Sequence, residues 1–90
     1  MNNSVENWVL LVDPSVHKEV DRFPKKDAMR LYEVIGLLTK DPYMGDIENM
    51  KGEENSWRRR IGNYRIFYKL IVNKKIIIVN RVERRTSNTY

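Results

Sequence analysis

Trp57-Arg58-Arg59-Arg60-Ile61-Gly62-Asn63-Tyr64-Arg65-Ile66-Phe67-Tyr68 is the stretch whose reading decides the fold. Gly62-Asn63 is a two-residue signal for a tight primed turn, and the residues flanking it are aromatic, β-branched or long-stemmed, as strands prefer. Counting outward places Ile61 opposite Tyr64, Arg60 opposite Arg65, Arg59 opposite Ile66, Arg58 opposite Phe67 and Trp57 opposite Tyr68. Side chains alternate across a strand, so one face carries Trp57, Arg59, Ile61, Tyr64, Ile66 and Tyr68, and the other Arg58, Arg60, Arg65 and Phe67. The first is a core face with one intruder, Arg59. On the second, Arg60 faces Arg65, and like charges directly opposite one another are destabilising. A bound anion relieves that conflict; the plain alternative is a solvated face whose guanidiniums splay into water.

Working outward, the second strand of this hairpin continues through Lys69-Leu70-Ile71-Val72 to a turn at Asn73-Lys74, and a final strand covers Lys75 to Val82. Its middle is apolar on both parities, which predicts a central strand buried on both sides. Counting from Asn73-Lys74 pairs Ile71 with Ile76, Phe67 with Asn80 and Arg65 with Val82. Ile78, Asn80, Val82 and Arg84 then share a face with Arg58, Arg60 and Arg65, and four arginines converge. A one-residue slip would send Arg84 to the other side.

Upstream, Trp8 to Val12 reads as a buried strand, and Asp13-Pro14 supplies an N-cap and a first helical residue. Val16, Val20 and Phe23 follow at helical spacing until Pro24. Lys25 to Lys40 predicts the longest helix, with Ala28, Leu31, Tyr32, Ile35 and Leu38 on one stripe, Val34 and Leu37 widening it, and Asp41-Pro42 ending it. Tyr43 to Ser56 reads as a loop with a short strand or turn at Ile47 to Lys51. The expected architecture is α+β: a helical hairpin on a small, mainly antiparallel four-stranded sheet.

Ninety residues suit one domain, 1–90, with a single modest core. There is no cysteine, so disulfides and thiolate chemistry are excluded. Neither a signal peptide nor a long apolar run occurs, and a cytoplasmic location without membrane contact is expected. Clustered carboxylates or paired histidines at metal-ligand spacing are absent from the sequence, and neither metal nor cofactor is expected. The net charge of +5 is uneven. Residues 1–50 hold six Lys or Arg against nine Asp or Glu, whereas residues 51–90 hold eleven against three. The second half thus faces a polyanion, and its arginines suit phosphate oxygens better than lysines do.

The order of these elements resembles the RelE/ParE superfamily of bacterial toxins from toxin-antitoxin systems. The likeness rests on the helices after a first strand, Met50-Lys51-Gly52 ahead of the hairpin, the string from Trp57 to Tyr68, and the basic tail from Val82-Glu83-Arg84-Arg85 to Tyr90. It implies either a RelE-type ribonuclease that cleaves messenger RNA in the ribosomal A site, or a ParE-type inhibitor of DNA gyrase. Carried across by position, the RelE-type site comprises Arg58 and Arg60 on the first hairpin strand, Arg65 on the second, and Arg84 and Tyr90 in the tail. The departures are arginines where lysines are often seen on the first strand, and a chain that stops at Tyr90 without a further helix.

RNA can be cut without metal when its own 2′-hydroxyl attacks the adjacent phosphorus. Guanidiniums rarely give up protons, so the four arginines are fitted to hold the phosphate and its developing charge. Tyr90 is the candidate base, because nearby guanidiniums favour the phenolate; a frayed chain end is its plain alternative. Glu48 is a second candidate base, since some relatives use a glutamate in that loop; a solvated loop charge is its plainer reading. Lys51 and Arg85 are candidates for contacts to flanking phosphates. His17, alone on the first helix, reads as surface. The partners implied are messenger RNA and the ribosome, together with a cognate acidic antitoxin covering the basic face, through which alone DNA would be bound.

Overall fold

A computed structural model describes residues 7–85. Its elements in chain order are β1 (Val9–Val12), α1 (Pro14–Val20), α2 (Lys25–Leu37), β2 (Ile47–Asn49), β3 (Ser56–Ile61), β4 (Tyr64–Ile71), a 3₁₀ turn (Val72–Lys74) and β5 (Ile76–Arg84). The five strands form one sheet in the order β1-β5-β4-β3-β2. All neighbours are antiparallel except β1 and β5, which run parallel. The α+β expectation holds, with five strands in place of four. The additional one is β2, three residues along the β3 edge, in the segment that reads as strand or turn by sequence.

Local chemistry explains the elements. Asp13 caps α1, its carboxylate accepting from Ser15 N at 2.9 Å, with Pro14 at the first helical position. Those Ser15 hydrogen bonds hold the Asp13 carboxyl below its ordinary range. Gly62 takes a positive φ of 58° and Asn63 does not, the pattern of a primed turn with glycine at its first central position.

Both helices lie on one face of the sheet. Val16, Val20, Leu31, Val34, Ile35 and Leu38 meet Ile66, Tyr68, Leu70, Ile77, Val79 and Val82 in the core. Fully burying one such aliphatic side chain contributes about 1.5–3 kcal/mol. Leu37, expected to widen the stripe, is half exposed instead, because α2 ends there and the residue turns off the sheet. His17 and Tyr32 stack between the helices with ring centroids 5.7 Å apart, and the Tyr32 hydroxyl donates to Asp21 at 3.2 Å.

Among the described residues no helix covers the opposite face of the sheet, and two expectations fail for that reason. β1 is an edge strand, not a buried one, with Val9 and Leu11 about half exposed. β5 is an interior strand, but only its helix-side residues Ile77, Val79 and Val82 are buried, while Ile76 and Ile78 on the open face are half-buried.

Candidate functional site

β3 and β4 pair in the register counted from Gly62-Asn63, Ile61 opposite Tyr64 through Trp57 opposite Tyr68. Arg58, Arg60 and Arg65 therefore stand together on the open face. β2 adds the groups that composition could not place. Glu48 lies opposite Arg58, and the Arg60 amide donates to the Asp46 carbonyl at 2.9 Å. The Arg58 guanidinium donates to Glu48 Oε1 twice, from Nη2 at 2.6 Å and Nε at 3.1 Å. Arg60 Nε donates to Asp46 Oδ2 at 3.0 Å. Together with Arg65, these five side chains line a recess of about 90 Å³. A carboxylate held by a guanidinium marks a place where a phosphate oxygen fits by the same geometry.

The convergence expected on β5 is altered by one residue. From Ile71↔Ile76 to Tyr68↔Val79 the pairing follows the count, but a bulge then leaves Asn80 unpaired, and Phe67 meets Arg81. Arg65 consequently faces Glu83 rather than Val82, Val82 turns into the core at 3% exposure, and Arg84 lies opposite Tyr64 on the helix side. Arg84 thus does not join Arg58, Arg60 and Arg65. Arg81 stands on the open face instead, lining a neighbouring recess and not that of Arg58, Arg60 and Arg65, with its guanidinium 4.4 Å from the Phe67 ring centroid and its Nη2 3.0 Å from Glu83 Oε2. Period counting misses Arg81 because a bulge shifts every later side chain by one face. The one mark it leaves in the sequence is a polar Asn80 at the end of an apolar run.

Beside the arginines is a second recess of about 300 Å³, whose lining includes Met50, Glu53, Ser56, Phe67, Asn80 and Arg81. Lys51 and Arg85 are both exposed but mark opposite ends of the hairpin: Lys51 follows Met50, whose amide bonds to Ser56, and the Arg85 amide bonds to the Asn63 carbonyl at the turn. They flank the face without entering the recess. Tyr90 lies outside the described residues. Among the described residues no group of three or more metal-ligating side chains occurs, and no helix is long and apolar enough to cross a membrane.

Arg59, the intruder on the core face, now has a role. Its Nη1 donates to the Met44 carbonyl at 3.0 Å, and its guanidinium fills the space beside Gly45, whose φ is +92°. Tyr68 donates to the Pro42 carbonyl, and Tyr43 sits edge-on between Trp8 and Trp57, with centroids 6.3 and 5.8 Å away. Burial pushes the Tyr68 hydroxyl up to about 12 against the pull of the Arg59 charge. The segment 41–46 is thereby clamped to the β3 edge, and that clamp fixes where Asp46 and Glu48 stand.

This architecture matches known proteins over most of its length. The model of the ParE toxin of type II toxin-antitoxin systems matches residues 9–88. A putative toxin RelE1 of Methanocaldococcus jannaschii is 30% identical over 73 residues, which cover 78% of this chain and 81% of that one. Among solved structures, the archaeal RelE-RelB complex from Pyrococcus horikoshii OT3 contains a chain that superposes with a TM-score of 0.78 at 22% identity, covering 91% of this chain and 99% of its own. The RelB-RelE antitoxin-toxin complex from Methanococcus jannaschii contains one with a TM-score of 0.67 at 27% identity, covering 82% and 88%.

Proposed function

Because the chain belongs to the ParE toxin family of type II toxin-antitoxin systems, within the RelE/ParE superfamily, we propose that it is a toxin of the RelE type that acts as a metal-independent endoribonuclease on messenger RNA at the ribosome. The observation that carries this reading is the placement of Arg58, Arg60 and Arg65 around one recess on the uncovered face of the sheet, with Arg81 beside them. In the reaction, Tyr90 takes the proton of the 2′-hydroxyl, the oxygen attacks the adjacent phosphorus, and a cyclic phosphate forms. The bond to the 5′-oxygen breaks, and that oxygen takes a proton from water. The guanidiniums hold the phosphate and its growing negative charge; one such positioned donor is worth roughly 3–4 kcal/mol of barrier in other enzymes.

Lys51 and Arg85, exposed on either side, contribute salt-dependent contacts to flanking phosphates. A cognate antitoxin is the partner we assign, since the superposed RelE proteins were each solved with RelB. Its acidic groups would complement the basic face.

The competing reading is a gyrase inhibitor without chemistry, favoured by the ParE description of the matching family model. Primer extension on a message translated in a cell-free extract tests the two. New stops with the wild type and none with Arg65→Ala support the ribonuclease; an intact message alongside blocked gyrase supercoiling supports the inhibitor.

A further inference from the structure

Two of the guanidiniums assigned to the phosphate are already occupied. Arg58 is bonded twice to Glu48 and Arg60 once to Asp46, whereas Arg65, in the same recess, makes no ion pair among the described residues. These carboxylates are not adventitious: Arg59, Tyr68 and Tyr43 anchor the segment that leads into β2. Nor does β2 depend on them to stay in place. Its ladder with β3 and the backbone bonds Arg60 N to Asp46 O and Met50 N to Ser56 O do not involve the Asp46 and Glu48 carboxylates.

We propose that Asp46 and Glu48 are resident competitors for the phosphate sites, specificity-determining residues that withhold Arg60 and Arg58 from free single-stranded RNA and release them only to a substrate fixed in place by other contacts. This inference rests on the reading of the open face as a phosphate-binding site. Exposed ion pairs are weak, so the carboxylates exchange readily. Displacing them nevertheless leaves two negative charges beside the incoming phosphodiester. A flexible strand gains little from so crowded a site, whereas a strand already positioned, as on a ribosome, meets the arginines at high effective concentration.

Binding of a fluorescent 2′-O-methyl oligoribonucleotide, which cannot be cut through its 2′-oxygen, tests this across a series of salt concentrations. The proteins are the wild type, Asp46→Asn with Glu48→Gln, that double variant with Arg58→Gln added, and Glu33→Gln as a control in a helix pair away from the recess. The double variant is expected to bind on the order of tenfold more tightly at low salt, with a log–log salt slope steeper by about 1.4, or about 0.7 for each guanidinium freed. Adding Arg58→Gln should remove about half of that increase, and Glu33→Gln should change nothing. Unchanged or weaker binding by the double variant, no binding by any of the proteins, or a large fall in its melting temperature would overturn the proposal. Cleavage of a translated message is scored separately: its absence defeats the ribonuclease reading, while the salt slopes still decide the inference.

Discussion

Arg84 lies opposite Tyr64 across the β4–β5 ladder, its guanidinium 5.8 Å from the ring centroid, and so faces the helices rather than the recess that holds Arg65. On the other face, Arg81 covers Phe67, which pairs with Arg58 on its other side. The bulge at Asn80 therefore exchanges one arginine for another on the open face.

Arg81→Ala should consequently reduce cleavage of a translated message by about 10²–10³-fold, the usual effect of losing one donor to a developing oxyanion. Arg84→Ala should reduce it by less than about tenfold. Single-turnover rates with matched circular dichroism spectra check this; a larger loss for Arg84→Ala would show that the tail, not the bulge, sets the site.

The clamp at the β3 edge should be sensitive at both partners. Gly45→Ala forces an L side chain to a φ of +92° and drives its Cβ into the Arg59 guanidinium, costing about 1–3 kcal/mol. Arg59→Ala removes the bond to the Met44 carbonyl at a cost of similar size. Because both act on one contact, urea denaturation of the double variant should show less than the sum.

Tyr68 gives the fold an alkaline limit. Its folded pKa, near 12, exceeds the ordinary 10, so the protonated hydroxyl contributes stability that is complete below about pH 10 and is lost as pH rises toward 12. Tyr32 and Tyr64 are also raised, so absorbance titration should show several phenols ionising late, Tyr68 last among the described ones, and Tyr68→Phe should remove that last step. That variant should also cost roughly 1–2 kcal/mol at neutral pH by leaving the Pro42 carbonyl unbonded. Ionisation of every tyrosine near 10 would contradict the buried bond.

Much of this molecule is legible in its sequence because the decisive signals are local. Gly62-Asn63 sets the hairpin register residue by residue, and that alone brings Arg58, Arg60 and Arg65 to one face. The Asp13-Pro14 start and the Pro24 break delimit α1 and the beginning of α2. The illegible parts depend on contacts distant in sequence. A one-residue bulge has no period to betray it, so Arg84 reads as cofacial and Arg81 goes unnoticed. Arg59 looks misplaced until the segment from Asp41 to Asp46 folds over it. Asp46 and Glu48 read as loop charges because β2, only three residues long, has too little pattern to align them with Arg60 and Arg58.

If the open face positions one phosphodiester for attack by its own 2′-oxygen, as proposed, cutting depends on that oxygen. The most direct measurement maps the cleavage site on a translated message, replaces the single ribonucleotide 5′ to that cut by its 2′-deoxy counterpart, and repeats the reaction. Cutting at that bond is expected to disappear, and the unmodified message to yield a cyclic phosphate end and a free 5′-hydroxyl by mass spectrometry. Undiminished cutting at the deoxy position, or products bearing a 5′-phosphate, would contradict it.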